Sequence, residues 1–418
     1  MRAVEPNAVR VQDEQVARGE PFLTAARVDI TPPVGVALGG YRMRARASSG
    51  VHRPLEANAV VLRADDGWLA VVSIDVLAIT RTLRESVVQA ICESQNLPND
   101  RILVVATHTH SAPASWAGTI MPSLPALVDP AECQRVAHLV AAAFASASRD
   151  PQPAVGSALS VVAGVGGDRN DPSLGVDSSV GVSAFFGGHG DVACTIFDYA
   201  CHATVLGPEN LSLSPDWVGA ARDSVRTAFG QPHLPVVFLP GAAGNISARF
   251  QRRDRSPHEA DRLGAVVGTA VASAAMSMSS APVDRLLVTS MPLRAHARAP
   301  LPVDIVEARG PGATPRARPA TLGSGHDEPP VLGRASLVRI NDSRTLFVPF
   351  ELTNGLGELL RDEFAGLRIA TCADGYLGYL ADAGEHRGGR YEAEVSYFDH
   401  AETERLVAQL RQTVIRAS

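Results

Sequence analysis

The order of apolar and polar residues along the chain predicts alternating strands and helices. Continuous or alternating apolar runs are typical of strands, while apolar residues that recur every three or four positions are typical of helices. The first pattern predicts strands at residues 22–30, 57–63, 68–75, 101–106, 151–162, 193–200, 235–239, 284–297, 335–340, 345–349 and 367–372. The second predicts helices at residues 80–95, 130–148, 215–229, 256–276, 354–362 and 402–415. In the third of these helices, we expect Ser214 to be the cap and Pro215 to lie in the first turn. The alternation indicates an α/β fold.

The composition narrows the class of partner. The chain has 418 residues, of which 45% are hydrophobic, and its formal net charge is -6. This length fits one large domain or two fused halves, and the apolar content is sufficient for a substantial core. A negative net charge argues against nucleic acid and against stable association with an anionic membrane. The expected partner is therefore a small molecule.

Cysteine usage and the absence of long apolar tracts bear on the compartment. The five cysteines form no C-x-x-C pair, and an odd, scattered set suits reduced thiols, so we expect no disulfides. Residues 1–20 contain no apolar segment typical of a secretory signal. The longest apolar-rich tract, residues 265–278, is too short and too interrupted to span a membrane. These features predict a cytoplasmic protein.

Two histidines follow the apolar run at residues 102–105. Side chains two positions apart share a face of an extended chain, so His108 and His110 are predicted to line one cleft where a strand ends. Imidazole is the commonest metal ligand in proteins. A pair at this spacing is also compatible with surface or core histidines, so a metal site requires partners elsewhere in the chain.

Two other predicted strands are each followed by a side chain that can bind a metal. His202 follows the predicted strand at residues 193–200, and Glu351 follows the strand at residues 345–349. Since ligands in α/β sheets bind at the carboxyl ends of strands, both side chains are candidates for the same site.

Polar loops add further candidate residues. Arg169 lies in a glycine-rich loop, where a guanidinium either binds a carbonyl or carboxylate or is simply solvated. Ser247 lies in a glycine-rich turn after the strand at residues 235–239, where N–H groups or a hydroxyl can contact a substrate carbonyl. The turn is not a G-x-S-x-G elbow, which argues against a serine hydrolase. A tyrosine-rich loop runs from residue 374 to Tyr391.

Five short motifs occur in a fixed order along residues 22–400. They are VDITP at 28–32, ATHTHS at 106–111, GNIS at 244–247, VPFELT at 348–353, and YLGY at 376–379 followed by RYE at 390–392. Together they resemble the catalytic domain of the neutral ceramidases, the non-lysosomal amidases that hydrolyse the N-acyl bond of ceramide. The resemblance implies an α/β domain of mixed β-sheets flanked by helices.

The resemblance also implies a zinc site and the groups around it. The implied zinc ligands are the four residues His108, His202, Glu351 and Tyr379. Tyr379 is preferred to Tyr376 because the second tyrosine of the family's Y-x-x-Y motif binds the metal. The groups implied to surround the reacting amide are His110, Arg169, Ser247 and Tyr391.

The chain departs from the family in ways that bear on its substrate. We expect a tail at residues 1–20, a single zinc hydrolase domain at residues 21–418 with no C-terminal immunoglobulin-like domain, and a proline-rich and glycine-rich loop or lid at residues 298–333. Ala248 and Arg249 follow Ser247, where the family usually has proline next. With the negative charge, these departures predict a soluble or modestly amphiphilic amide as substrate rather than ceramide in a membrane.

The expected reaction is attack of a zinc-activated water on an amide carbonyl. His110 and Tyr391 are expected to stabilise the oxyanion, and His110 to protonate the leaving amine. Ser247 is expected to orient water rather than to act as the nucleophile. The same site also suits an intramolecular cyclase, an acyl transferase, or an ester or lactone hydrolase. A metal-free binding protein on this fold is a further alternative, although all four implied ligands are present. The oligomeric state does not follow from the sequence.

Overall fold

A computed structural model describes residues 20–64, 67–302 and 329–417. Its strands, numbered in chain order, are β1 Phe22–Asp29, β2 Gly50–Val51, β3 Glu56–Ala64, β4 Gly67–Ile74, β5 Ile102–Ala106, β6 Arg149–Asp150, β7 Ala154–Val161, β8 Gly167–Asp168, β9 Ser179–Phe186, β10 Val192–Tyr199, β11 Ser212–Leu213, β12 Val236–Pro240, β13 Ile246–Ser247, β14 Ala281–Pro282, β15 Leu286–Arg294, β16 Val331–Ile340, β17 Ser343–Phe347, β18 Glu351–Leu352, β19 Leu367–Ala370 and β20 Tyr379–Leu380. The helices are α1 Arg81–Gln95, α2 Ala114–Ala117, α3 Pro130–Ser146, α4 Trp217–Phe229, α5 Pro257–Ser277, α6 Asn354–Glu363, α7 Ala383–Gly388, α8 Tyr391–Val395 and α9 His400–Arg416.

Two mixed five-stranded sheets form the centre of the fold. Their strand orders are β5-β4-β3-β1-β6 and β12-β10-β9-β7-β14. Most neighbours are antiparallel, but β4 and β5 run parallel, as do β10 and β12. These parallel pairs matter for function because they carry the carboxyl ends of β5 and β10 to which His108 and His202 are attached.

The two sheets pack face to face, with helices on their outer faces. Apolar side chains hold the two sheets together. On strand β5, Leu103 and Val105 pack with Ile196 and Leu239 of the other sheet. The alternate side chains of β5, including Val104, pack instead in the core that contains the α1 and α3 side chains. A strand buried on both faces needs a continuous apolar run, and that is the pattern in the sequence. Helices α4 and α5 cover the outer face of the second sheet in the same way.

A third sheet and several short ladders complete the site. The third sheet has the order β15-β16-β17-β19, and α9 packs against it. Parallel pairing of β18 with β20 places Glu351 opposite Tyr379. Antiparallel pairing of β13 with β8 places Ser247 opposite Gly167, two residues before Arg169. The ladders bring together residues that are far apart in the sequence.

The predicted α/β class with mixed sheets is confirmed, with local corrections. Strand β9 was not predicted, because its glycine and serines break the apolar run; Ser183 accepts a hydrogen bond from Arg368 there. Helix α4 begins at Trp217 rather than Pro215, and its cap is Asp216 rather than Ser214. The Asp216 carboxylate also accepts hydrogen bonds from the backbone of residues 205 and 206, which explains why it displaces the serine.

Two predicted segments fall largely outside the described residues. These are the tail at residues 1–20 and the lid at residues 298–333, and the last three residues of the predicted lid belong to β16. Among the helices of the described part of the chain, none has the length and apolar character needed to cross a bilayer.

Candidate metal centre

His108 lies just past the end of β5 in a left-handed backbone conformation. Its φ angle is 62°, so the extended geometry predicted for the H-x-H segment is wrong at this residue. Backbone hydrogen bonds from Thr107 to Ile74 and from His108 to Val76 hold the turn against the end of β4. The His108 ring is fixed by a 2.6 Å hydrogen bond from Nδ1 to the carbonyl of Leu77. Its Nε2 atom is therefore the nitrogen available to a ligand.

His202 is held in an equivalent way after β10. Its Nδ1 lies 2.8 Å from the carbonyl of Ala243 and 3.0 Å from that of Ile246. The backbone N–H of His202 also donates to the Ile246 carbonyl, which ties the strand end to the glycine-rich turn after β12. The sequence analysis predicted that a second strand end carries a further imidazole, and His202 lies just past the end of β10.

His110 is the third imidazole of the cluster. Its Nδ1 lies 3.1 Å from the carbonyl of Gly40, and its ring packs on Tyr41 with centroids 5.0 Å apart. Arg44 donates a 2.7 Å hydrogen bond to the His110 carbonyl. The nearest ligand atoms of His108, His110 and His202 all lie within 4.8 Å of one another.

Glu351 supplies the carboxylate of the centre. Its Oε2 lies 3.3 Å from Nε2 of His108 and 2.9 Å from Nε2 of His202, and all three side chains are buried. Tyr376 donates a short hydrogen bond to Oε1 of Glu351 and stacks over the His108 ring. This tyrosine was not among the predicted site residues, although it is the first tyrosine of the Y-x-x-Y motif.

Tyr379 and Arg169 form the next layer of the site. Arg169 donates a 3.2 Å hydrogen bond to the Tyr379 hydroxyl and a 2.6 Å hydrogen bond to buried Glu392. The Arg169 guanidinium also lies over the ring of Tyr391, 5.4 Å from its centroid. Tyr391 packs edge-on against Tyr379 and is half-exposed, so it lies between the centre and solvent.

Ser247 lies beside this group without a direct contact to the imidazoles that the structure records. It follows Ile246, whose carbonyl accepts from His202, and its hydroxyl accepts a 3.3 Å hydrogen bond from the backbone of Arg249. All eight predicted site residues therefore lie in one region. The imidazoles and Glu351 form its centre, and the other four residues lie around them.

Charges within the centre are strongly coupled. Burial opposes ionisation of Glu351, but the imidazoles of His108 and His202 outweigh it and keep the carboxyl pKa well below its ordinary value. Burial also opposes protonation of His108, yet the Glu351 carboxylate raises the pKa of that imidazole well above its ordinary value. Burial lowers the pKa of His202, and burial with the neighbouring imidazoles lowers that of His110. Glu351 is therefore a carboxylate at neutral pH.

The donor set fits a metal ion. Each Nδ1 faces a carbonyl and must carry its proton there, so Nε2 is the nitrogen of each ring that can bind a cation. Among the described residues, Nε2 of His110, Nε2 of His202 and Oε2 of Glu351 are buried without a hydrogen bond of good geometry, although the last two atoms lie only 2.9 Å apart. The Glu351 carboxylate and the neighbouring Nε2 atoms require a positive charge between them, which is either the proton that the raised pKa of His108 retains or a metal ion that replaces it. Imidazole and carboxylate are ligands that zinc accepts.

Comparisons with known proteins identify the architecture. Residues 22–154 match the family model described as neutral/alkaline non-lysosomal ceramidase, N-terminal. The structure of a ceramidase complexed with C2 superposes with a TM-score of 0.75 at 16% identity, over 95% of this chain and 75% of that one. Neutral ceramidase from Pseudomonas aeruginosa superposes with a TM-score of 0.76 at 17% identity, over 94% of this chain and 73% of that one.

The chain has the fold of the neutral ceramidases. The resemblance found in the five motifs is thereby confirmed, although no curated protein matches the sequence. In this neutral ceramidase fold, residues 22–154 contribute only His108 and His110 to the candidate centre, and the other predicted residues come from later segments.

Two supports of the candidate centre were not predicted from the sequence. One is the loop that holds His110 through Gly40, Tyr41 and Arg44. The other is Cys372, whose sulfur lies 3.8 Å from Nδ1 of His108. Both depend on tertiary contacts that local patterns do not contain.

Proposed function

We propose that the chain is a zinc-dependent amide hydrolase that acts on a soluble or modestly amphiphilic N-acyl substrate. The observation that carries the proposal is the convergence of three imidazole Nε2 atoms and the Glu351 carboxylate, with every Nδ1 fixed to a backbone carbonyl. The neutral ceramidase fold supports the same reaction class. Hydrogen-bonded outer partners of this kind fix the tautomer of metal-binding histidines.

In this proposal His108, His202, Glu351 and Tyr379 hold the metal. A bound zinc ion would polarise a carbonyl oxygen and lower the pKa of a coordinated water to about 7. Burial raises the pKa of Tyr379 well above its ordinary value, although Arg169 opposes this. Tyr379 therefore remains a phenol unless a cation is close to its oxygen, which makes its role as a ligand dependent on the metal itself.

The residues around the metal then act on the amide. Nε2 of His110 has no hydrogen-bond partner among the described residues, and the lowered pKa keeps the ring neutral, so His110 is placed to accept a proton from the attacking water and to pass it to the leaving amine. Tyr391, half-exposed and packed on Tyr379, is placed to donate to the carbonyl oxygen. Ser247 is assigned to the orientation of water, and Arg169 to the orientation of both tyrosines.

Metal content and product analysis test the proposal. The purified protein should hold about one zinc ion per chain, and His108→Ala and Glu351→Ala should lose most of it. His110→Ala and Tyr391→Phe should keep zinc and lose roughly 10²–10³-fold in kcat on an amide substrate. His138→Ala on helix α3 is the matched histidine control.

The products separate the remaining alternatives. Release of a free acid and a free amine identifies hydrolysis, whereas a cyclic or transferred product identifies a cyclase or transferase. Full zinc occupancy in both ligand variants would refute the metal assignment, and a zinc-free wild type would favour a binding protein.

A further inference from the structure

One exposed guanidinium lies directly beside the proposed reaction centre. The backbone N–H of Arg249 donates to the hydroxyl of Ser247 at 3.3 Å. Its Nη1 donates to the main-chain carbonyl of Arg169, also at 3.3 Å. Arg249 is thus anchored to two of the residues assigned to the site. Arg169 also donates from its side chain to the Tyr379 hydroxyl, so this one residue links Arg249 to Tyr379.

The Arg249 guanidinium has no carboxylate partner in the part of the chain that the structure describes. Across residues 20–64, 67–302 and 329–417, no carboxylate forms an ion pair with Arg249, whereas Arg169 is paired with Glu392 at 2.6 Å. A guanidinium has five N–H donors, and in Arg249 the described residues accept a hydrogen bond from one of them. The ring of Phe250 lies 5.3 Å from the guanidinium carbon and supports it from one side. Arg249 as a whole is exposed.

The surrounding segment makes this edge locally positive. Residues 249–255 contain four arginines and a single carboxylate, Asp254, in a chain whose net charge is -6. Arg252 binds the carbonyl of Thr204 at 2.8 Å, and Arg255 lies 3.4 Å from Glu209. Local positive charge at the mouth of a cleft raises the local concentration of anions and accelerates their association.

We propose that Arg249 binds a carboxylate of the substrate, so that the natural substrate is an anionic amide such as an N-acyl amino acid. A planar guanidinium with free donors matches the geometry of a carboxylate and binds it through two parallel hydrogen bonds. The carboxylate lies on either the amine portion or the acyl portion of the amide. This inference rests on the proposed amide hydrolase function and names the substrate class for that site.

Two matched pairs of substrates test the inference. N-hexanoylglycine is compared with neutral N-hexanoylethanolamine, and glutaric acid monobutylamide with neutral N-butylpentanamide. For the wild type, Arg249→Gln, Arg249→Lys and Arg253→Gln, the measured quantity is the ratio of kcat/KM between the carboxylate and the neutral member of each pair. Arg253 is the matched control because it is an exposed arginine of the same segment.

We expect the wild type to prefer the carboxylate in at least one pair, and the pair identifies the portion that bears it. Arg249→Gln should lower that preference about 10-fold to 100-fold, mainly through KM, as expected for loss of a charge-assisted hydrogen bond. Arg249→Lys should retain part of the preference, and Arg253→Gln all of it. A wild type that prefers the neutral members, or equal effects of Arg249→Gln and Arg253→Gln, overturns the inference.

Direct binding separates this inference from the proposed function. If the zinc-loaded wild type hydrolyses none of the four amides, the proposed hydrolase function fails. Calorimetric titrations of N-hexanoylglycine and of glutaric acid monobutylamide into the wild type and Arg249→Gln then decide the anion site by themselves. Binding of either ligand that is lost in Arg249→Gln supports the site, and equal or undetectable binding of both ligands to the two proteins overturns it.

Discussion

The hydroxyl of Thr107 donates a 3.0 Å hydrogen bond to Oδ1 of Asp75, one residue before the left-handed turn at His108. Asp75 is itself held by two hydrogen bonds from Arg222, at 2.8 and 3.0 Å, and both side chains are fully buried. The buried ion pair between Asp75 and Arg222 of helix α4 therefore fixes the segment that carries His108, an expected metal ligand. The position of His108 depends on residues that never contact the metal centre.

Replacement of Thr107 by valine tests this support. The isosteric change removes one buried hydrogen bond and should lower the free energy of unfolding by about 1–2 kcal/mol. It should also weaken zinc binding about 10-fold, because outer partners orient the ligand. Thr413→Val is the control, since that buried hydroxyl binds the carbonyl of Gln409 on α9. Equal zinc affinity in the two variants would show that Thr107 contributes only to stability.

Substitution of Gly40 tests the placement of His110. A Cβ atom at Gly40 would lie 2.4 Å from the His110 ring, so Gly40→Ala must displace that imidazole. Misplacement of a proton-transfer group by about 1 Å can cost 10²-fold, and we expect a fall in kcat of this order with zinc retained.

Gly35→Ala provides the matched control. Gly35 also has a positive φ angle, but a Cβ atom there would meet nothing within 4 Å. Both variants share the backbone strain, and only Gly40→Ala should lose turnover. If kcat falls equally in both, backbone strain rather than the His110 contact is responsible.

Removal of the Tyr376 hydroxyl should weaken metal binding without abolishing it. This hydroxyl donates to Oε1 of Glu351 and so orients the carboxylate whose other oxygen faces the imidazoles. We expect Tyr376→Phe to lower zinc affinity about 10-fold, measured by competition with a chelator. Tyr199→Phe removes a buried hydroxyl that binds the Val162 carbonyl, and it should leave the affinity unchanged. A near-complete loss of zinc in Tyr376→Phe would instead indicate that Tyr376 is a direct ligand.

Stability at acid pH should depend on Glu56. Burial would raise its pKa, but Arg222 and Arg226 outweigh burial and lower it from the ordinary 4.5 to about 2. Because the folded-state pKa lies below the unfolded-state value, ionised Glu56 stabilises the fold above pH 4.5, and this contribution is lost as pH falls towards 2. The shift corresponds to about 3 kcal/mol.

The measurement is urea unfolding of zinc-free protein from pH 5.5 to 2.5, so that metal loss does not contribute. The free energy of unfolding should fall less steeply with decreasing pH in Glu56→Gln than in the wild type. Glu358→Gln, an exposed change on α6, should keep the wild-type slope. Parallel slopes in all three proteins would exclude Glu56 as the source.

Local patterns were sufficient for the main elements and for the candidates His108, His202 and Glu351, whereas Tyr379 was implied only by the family resemblance. Strand β5 was predictable because burial on both faces requires an unbroken apolar run, and its end marks where polar groups can begin. The same reasoning located His202 after β10. Strand β9 was missed because Gly181 fits against the Arg368 and Asp198 side chains, a reason that exists only in the folded protein.

The supports of the site were beyond sequence reasoning for a related reason. The Tyr376 hydroxyl contacts Glu351, whereas the Tyr379 hydroxyl contacts Arg169. The pairing of β18 with β20 decides which tyrosine reaches which partner. Arg222 lies in the predicted helix at residues 215–229, and the helical pattern does not indicate that it is wholly buried against Asp75. Long-range pairing, rather than periodicity, sets these contacts.

The backbone of His108 creates a conflict between thermal stability and chemistry. A φ angle of 62° is costly for any residue with a Cβ atom, by about 1–3 kcal/mol, and glycine adopts it without strain. Glycine at position 108 would relieve this strain, but it would also remove a buried imidazole and its hydrogen bond to Leu77. Under the proposed function, directed evolution of this chain for heat resistance therefore has to score turnover in every round, because relief of strain at position 108 removes a proposed metal ligand.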